Sequence, residues 1–149
     1  MSNRNKAIIA RIVEELFNRG KFEVVDELYA EDFVDHSIEH LRLFGVEGHR
    51  EGTKQLARAA REGLSDLSAR LDELICEGDR VAARVSASGI HTGSFMRVPA
   101  TGRRIDLVDF HFFTILDGKV REHWNQYNSL EIMRQLGVIP SPARGEATP

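Results

Sequence analysis

The sequence predicts an α+β domain in which helices pack against one face of a curved antiparallel sheet. Three observations carry this. Apolar residues recur at helical spacing as far as Gly63. From Leu67 onward the period drops to two. Two short turn signals, "EGDR" at 77–80 and "DG" at 117–118, then divide the second half into a meander.

Each element follows from local pattern. Asn3 to Arg19 carries Ile8, Ile9, Ile12, Val13, Leu16 and Phe17 at helical spacing, with Gly20 as its stop. "KFEVVDELYA" gives a second, short helix, and "EDFVDHS" breaks the period as a loop or short extended piece. Gly48 to Gly63 forms a third helix, less apolar than the first. Leu67, Ala69 and Leu71 alternate along one strand, and Val81, Ala83, Val85 and Ala87 along its return. "HTGSFMRVPATGRR" is a Gly/Pro/Thr-rich connection. Ile105 to Leu116 and Lys119 to Tyr127 form the last two strands. The final helix has Asn128 as N-cap with Glu131 three residues on, then Gly137 past its end. Residues 1–140 form one domain, and residues 141–149, "SPARGEATP", are a flexible tail.

Bulk properties narrow the function. A chain of 149 residues can bury a core without disulfides or structural metals. Its composition is 42% hydrophobic and 29% charged, its net charge −3, with both signs mixed. That balance argues against nucleic acid or an anionic membrane as partner. The single Cys76 excludes an internal disulfide, and no run has the length of a membrane span. The expected location is the cytoplasm. No P-loop, dinucleotide fingerprint or nucleophile elbow occurs, so no cofactor is expected.

The functional question sits in "REHWNQYN", residues 121–128, where a strand that should fill a core carries a histidine and two asparagines. A two-residue Asp117-Gly118 turn would set Phe113 opposite Glu122 and leave His111 facing away from His123 and Asn125. A three-residue turn with Gly118 left-handed pairs Ile115 with Lys119 and sets His111 opposite His123. One residue of loop length moves the whole set between faces. The second register is expected, because it gathers Asp109, His111, His123, Asn125 and Tyr127 on one face. It leaves Phe110, Phe112 and Trp124, with Val108 and Val120, on the other. Titratable groups gathered in a partly dry concavity suit acid–base chemistry. The aromatic face suits a homodimer with Trp124 near its centre.

Other residues read more plainly. His36 and His40 have the i, i+4 spacing of a metal pair but fall in an expected loop without a placed carboxylate, so no metal is expected. Asp35 reads as a solvated loop carboxylate. His91 suits either the pocket mouth or a turn, and Arg84 either the surface or a pairing with Asp109.

Three segments, "LYAEDFVDH", "GIHTGSFMRVPATGRRI" and "FFTILDGKVREHWNQYN" followed by "LGVIP", resemble the SnoaL-like polyketide cyclases of the NTF2-like superfamily. The resemblance implies a cone-shaped fold around one deep pocket. It also implies intramolecular aldol chemistry on a hydrophobic, polyketide-like carbonyl compound. In that family a pocket Asp on the last strand acts as general acid/base, accompanied by a histidine from the loop after the second helix and one from the long strand. The matching positions here are Asn125, His36 and His111. Asn125 departs from the pattern, since an amide has no titratable proton, though it can bind an enolate or carbonyl oxygen. Asp109, His111 or His123 would then supply the base, with His36 alongside; Tyr127, His91, Phe113 and Phe33 are the expected substrate-binding residues. The resemblance leaves open a polyketide hydroxylase or its helper, and a binding protein without turnover. Epoxide opening, which needs an Asp–Arg–Asp arrangement, remains a third possibility.

Overall fold

The structure, a computed structural model, describes residues 2–140; the tail expected from residue 141 lies outside the described residues. The chain runs α1 (Ser2–Arg11), a wider π-helical continuation (Ile12–Asn18), α2 (Val24–Leu28), β1 (Tyr29–Asp35), α3 (Ile38–Phe44), α4 (Arg50–Gly63), β2 (Leu64–Glu77), β3 (Arg80–His91), β4 (Arg104–Leu116), β5 (Lys119–Tyr127) and α5 (Ser129–Gln135). The expected α+β class holds. One sheet has the order β1-β5-β4-β3-β2, antiparallel except where β1 runs parallel to β5.

The helices form because one face of each is apolar and has a sheet to cover. Ile8, Ile9, Ile12 and Leu16 from the first helix join Val25 and Leu28 of α2. They pack on Val81, Ala83, Phe113, Ile115 and Val120 of the sheet's concave side. A second cluster, built on Leu64, Phe95, Ile105, Ile132 and Leu136, closes the opposite end. Arg61 of α4 ties the two ends of the helical layer, donating 2.7 Å hydrogen bonds to the carbonyls of Phe17 and Asn18.

Several local expectations change. The stretch after β1, expected as loop, winds into α3, closed by Gly45 at φ 67°. β2 starts at Leu64, three residues early, and its register slips between Leu71 and Glu73. Asn128 stands at the N-cap of α5 but makes no capping bond there. Its Oδ1 instead accepts from Val108 N–H at 3.0 Å, satisfying the next amide of β4 where β5 has ended.

The last hairpin decides the site. Asp117 and Gly118 both have positive φ, 52° and 73°, the signature of a two-residue type I′ turn. Leu116 faces Lys119 and Ile115 faces Val120, so the expected three-residue turn is not formed. The register then slips: Thr114 faces Glu122, leaving Arg121 as the extra residue of a bulge. Beyond it Phe113 pairs with His123 and His111 with Asn125. The bulge flips the strand by one residue, so the histidines share a face after all. It also overturns the placing of Val120, which is buried in the core on the concave side rather than beside Trp124.

Candidate active site

The concave side encloses a chamber of about 120 Å³ with mainly apolar walls from the first helix and strands β2 to β4. Phe95 and Met96 reach it from the connection between β3 and β4, where Met96 and Arg97 occupy a tight turn with φ of 51° and 65°. Mutual backbone hydrogen bonds of Phe95 and Val98 close that turn. Most of the polar groups at the chamber, Asp35, His40, Asp109, His111, His123, Asn125 and Tyr127, come from β1, α3, β4 and β5, with Tyr29 and Thr53 in addition.

Four of these form a chain. His123 Nδ1 lies 3.1 Å from Asp35 Oδ2, and its Nε2 lies 2.8 Å from His111 Nδ1. His111 Nε2 is 3.6 Å from Asp109 Oδ2, within ion-pair range but long for a hydrogen bond. Asp35 also accepts from Ser37 N–H at 2.9 Å, and Ser37 Oγ accepts from Asn125 N–H at 2.8 Å. Aromatic stacking fixes the rings: Phe113 lies 4.7 Å from His123 and 5.7 Å from His111.

Electrostatics follows from burial. Burial pushes the Asp35 carboxyl up, but bonds from His123 and Ser37 outweigh it and hold the group at about 2. Burial lowers His123, outweighing its attraction to Asp35, so the imidazole is neutral at neutral pH. His40 is pulled down to about 4, again chiefly by burial. Burial and the Asp109 charge raise the Tyr127 hydroxyl to about 12. Three buried atoms among these groups have no hydrogen-bond partner: His40 Nδ1, Asp109 Oδ1 and Asn125 Oδ1. A bound ligand's polar atoms, or water, would have to meet them.

A wider groove of about 980 Å³ adjoins the chamber, and His40, Asn125 and Tyr127 line both spaces. Arg42, Leu43, Arg97, Leu130 and Met133 complete the outer walls.

Asp109, His111, His123, Asn125, Tyr127 and Phe113 stand at the chamber as expected. His36, His91 and Phe33 do not. His36 lies on the convex face, stacked on Trp124 at 4.6 Å and 3.2 Å from Glu122. His91 is fully buried, bonded to Thr101 and the Val98 carbonyl, where it braces the β3–β4 connection. Phe33 packs edge-on against Tyr29 in the core. Asp35, expected in solvent, is instead the buried end of the chain. His40 was visible only as half of a metal pair. The signal that would have found it is the helical spacing of His40, Leu43 and Phe44, which turns one face of α3 toward the pocket. His36 and His40 therefore point apart. Among the described residues no group of three or more His, Cys, Asp or Glu side chains is arranged to hold a metal ion. Arg84 pairs with Glu73 and Asp72 on the outer face, so it supplies no arginine beside Asp109.

A curved sheet closed by helices over one chamber, with a buried carboxylate–imidazole chain at its polar end, defines a cone of the NTF2-like class. The chain belongs to the SnoaL-like polyketide cyclase family, whose model matches residues 7–136. The aklanonic acid methyl ester cyclase DnrD of Streptomyces peucetius is 32% identical over 133 residues, covering 87% of this chain and 88% of the relative. The nogalonic acid methyl ester cyclase of Streptomyces nogalater is 32% identical over 124 residues, covering 81% and 89%. Among solved structures, TsrD from Streptomyces laurentii superposes with a TM-score of 0.83 at 27% identity, over 93% of this chain and 98% of that one.

Proposed function

We propose that this chain catalyses an intramolecular aldol-type ring closure on a hydrophobic, polyketide-like carbonyl compound, by acid–base chemistry from its own side chains. The observation that carries the reading is the Asp35–His123–His111 chain, whose free end meets Asp109 at the chamber wall. His111 takes a proton from the carbon next to a carbonyl. The Asn125 amide, opposite His111 in the strand pair, donates to the enolate oxygen. The enolate carbon then attacks a second carbonyl of the same molecule, forming the ring C–C bond. The new alkoxide recovers the proton from His111, so the reaction is an isomerisation that balances without a co-reactant. DnrD and the nogalonic acid methyl ester cyclase, both named as methyl ester cyclases, support this reaction class.

The chamber's volume bears on the substrate. About 120 Å³ is roughly the room of one six-membered ring. The reacting end fits there, while the body of a larger molecule lies in the outer groove between Leu43, Leu130 and Met133. The test is turnover of an aklanonic-type methyl ester by the wild type and by His111→Gln. Ring closure lost in the variant with binding kept supports the reading; equal turnover overturns it.

Asn125 in place of the family's acid favours one alternative, a hydroxylase or hydroxylase helper that shares the pocket but not the base. Oxygen-dependent product from the same substrate would identify it. We further propose a homodimer through the convex face, where Phe110 and Phe112 are 58% and 56% exposed.

A further inference from the structure

Relying on the acid–base reading only for its consequence in turnover, we infer that Asp35 is a positioning residue that sets the tautomer of both pocket imidazoles. It leaves the lone pair of His111 at Nε2, the ring edge beside Asp109.

The deduction is a count of protons along the chain. An ionised Asp35 carries no proton and can only accept, and it faces His123 Nδ1 at 3.1 Å. Nδ1 must therefore carry hydrogen. A neutral imidazole has one N–H, so His123 Nε2 is bare. That bare nitrogen lies 2.8 Å from His111 Nδ1, which must then donate. His111 has spent its one N–H, and its Nε2 is left as the lone pair. The groups facing this chain are Tyr29 and Asp35 on β1, Ser37 in the turn after it, His40 on α3, Asp109 on β4, and Asn125 and Tyr127 at the end of β5. None of them donates to His111 Nε2, and its nearest charged neighbour is Asp109 Oδ2 at 3.6 Å. A proton arriving at Nε2 then makes an imidazolium between the His123 lone pair and the Asp109 carboxylate. Without Asp35, His123 is free to carry its hydrogen on Nε2. His111 would then hold hydrogen on its own Nε2 and present a donor where a base is needed.

Asp35 is well fixed for this role. Its Oδ1 takes Ser37 N–H at 2.9 Å, and its backbone N–H donates to Gly48 O at 2.9 Å. The Ser37 bond makes Asp35→Asn a directed test. The amide oxygen stays on Ser37 N–H, so the amide nitrogen faces His123 and donates to Nδ1. That reverses both tautomers with almost no change in shape.

The experiment is nitrogen-15 NMR of histidine-labelled protein at neutral pH, without substrate. The expected wild-type spectrum has hydrogen on Nδ1 and bare Nε2 in both His111 and His123, with both reversed in Asp35→Asn. Wild-type His111 carrying hydrogen on Nε2 overturns the inference, whether or not the variant folds. So does a folded Asp35→Asn that keeps the wild-type tautomers. In turnover, Asp35→Asn should lower kcat by about 10²–10⁴ with KM little changed. The expected tautomers in a protein with no cyclase activity would sustain the Asp35 role and sink the acid–base reading, so the two fail separately.

Discussion

His111 and His123 are joined by a 2.8 Å hydrogen bond although they are not cross-strand partners: His111 faces Asn125, and His123 faces Phe113. The bond runs diagonally, one rung along, with both rings stacked against Phe113. Removing either ring breaks the same path. His111→Gln and His123→Gln should each lower kcat by about 10²–10⁴, and the double variant should lose little more than the worse single one. Steady-state kinetics of the three variants checks this; independent, multiplying losses would show that the rings do not act as a unit.

Asn125 stands where a carboxylate would be a second base. Asn125→Asp should add a titrating limb to the pH–rate profile, or raise aldol turnover, while binding persists. An unchanged profile would place Asn125 outside the chemistry.

Acid should weaken the fold in two stages. His40 titrates at about 4 against an ordinary 6.5, and His123 is also lowered. A depressed imidazole means that the unfolded chain binds the proton more readily, so stability falls as pH drops from 6.5 toward 4. Asp35, lowered from 3.8 to about 2, adds stability that is present above 3.8 and lost as pH falls through 2. Thermal melts across this range should show the first decline shrinking in His40→Phe. A variant with the wild-type slope would mean that His40 is solvated in the fold.

The Arg121 bulge reconciles the two-residue turn with the inward face of the histidines. Deleting Arg121 while the Asp117-Gly118 turn holds removes the extra residue and leaves Ile115 opposite Val120 and Phe113 opposite His123, so His123 and Asn125 stay inward. Cyclase activity should persist in steady-state assays. Gly118→Ala, strained at φ 73°, should cost only about 1–2 kcal/mol by denaturant unfolding and keep the register. A folded deletion variant without activity would show that the bulge shapes the site beyond setting its faces.

Trp124 is already half covered, by His36 on one side and by Arg80 at 5.9 Å. Phe112 is therefore the more telling site. Phe112→Glu and Trp124→Glu should each shift the proposed dimer to monomer or aggregate in light scattering. A dimer that withstands both changes would have its interface elsewhere.

The sequence made the fold readable because periodicity reports which side of an element is buried, and the last strand's bounds came out as expected. The shared face of His111, His123 and Asn125 was also legible, but through the wrong device. Alternation reveals only odd or even offset, and a three-residue turn gives the same parity as a two-residue turn plus a bulge. Partners were consequently misassigned, while the faces were misassigned only before the bulge, at Val120. His36 and Asp35 were exchanged for a related reason: a strand that ends at Asp35 sends neighbouring side chains to opposite faces, and a presumed loop carries no such rule. His91 and Phe33 were read from chemical type alone, and the folded chain uses their bulk and hydrogen bonding inside the core.

The turn at Met96 and Arg97 gives an engineer a handle that the strands do not. Most chamber walls belong to the sheet or helices, where a new side chain disturbs paired backbone or packed neighbours. Met96 lines the chamber from a left-handed turn closed by the backbone bonds of Phe95 and Val98. Glycine or asparagine there would enlarge the chamber while relieving backbone strain, which offsets part of the packing lost with the buried methionine. Libraries aimed at bulkier substrates can therefore begin at position 96 with small, turn-tolerant residues. β-Branched replacements there would be selected against for conformational reasons before any substrate is met.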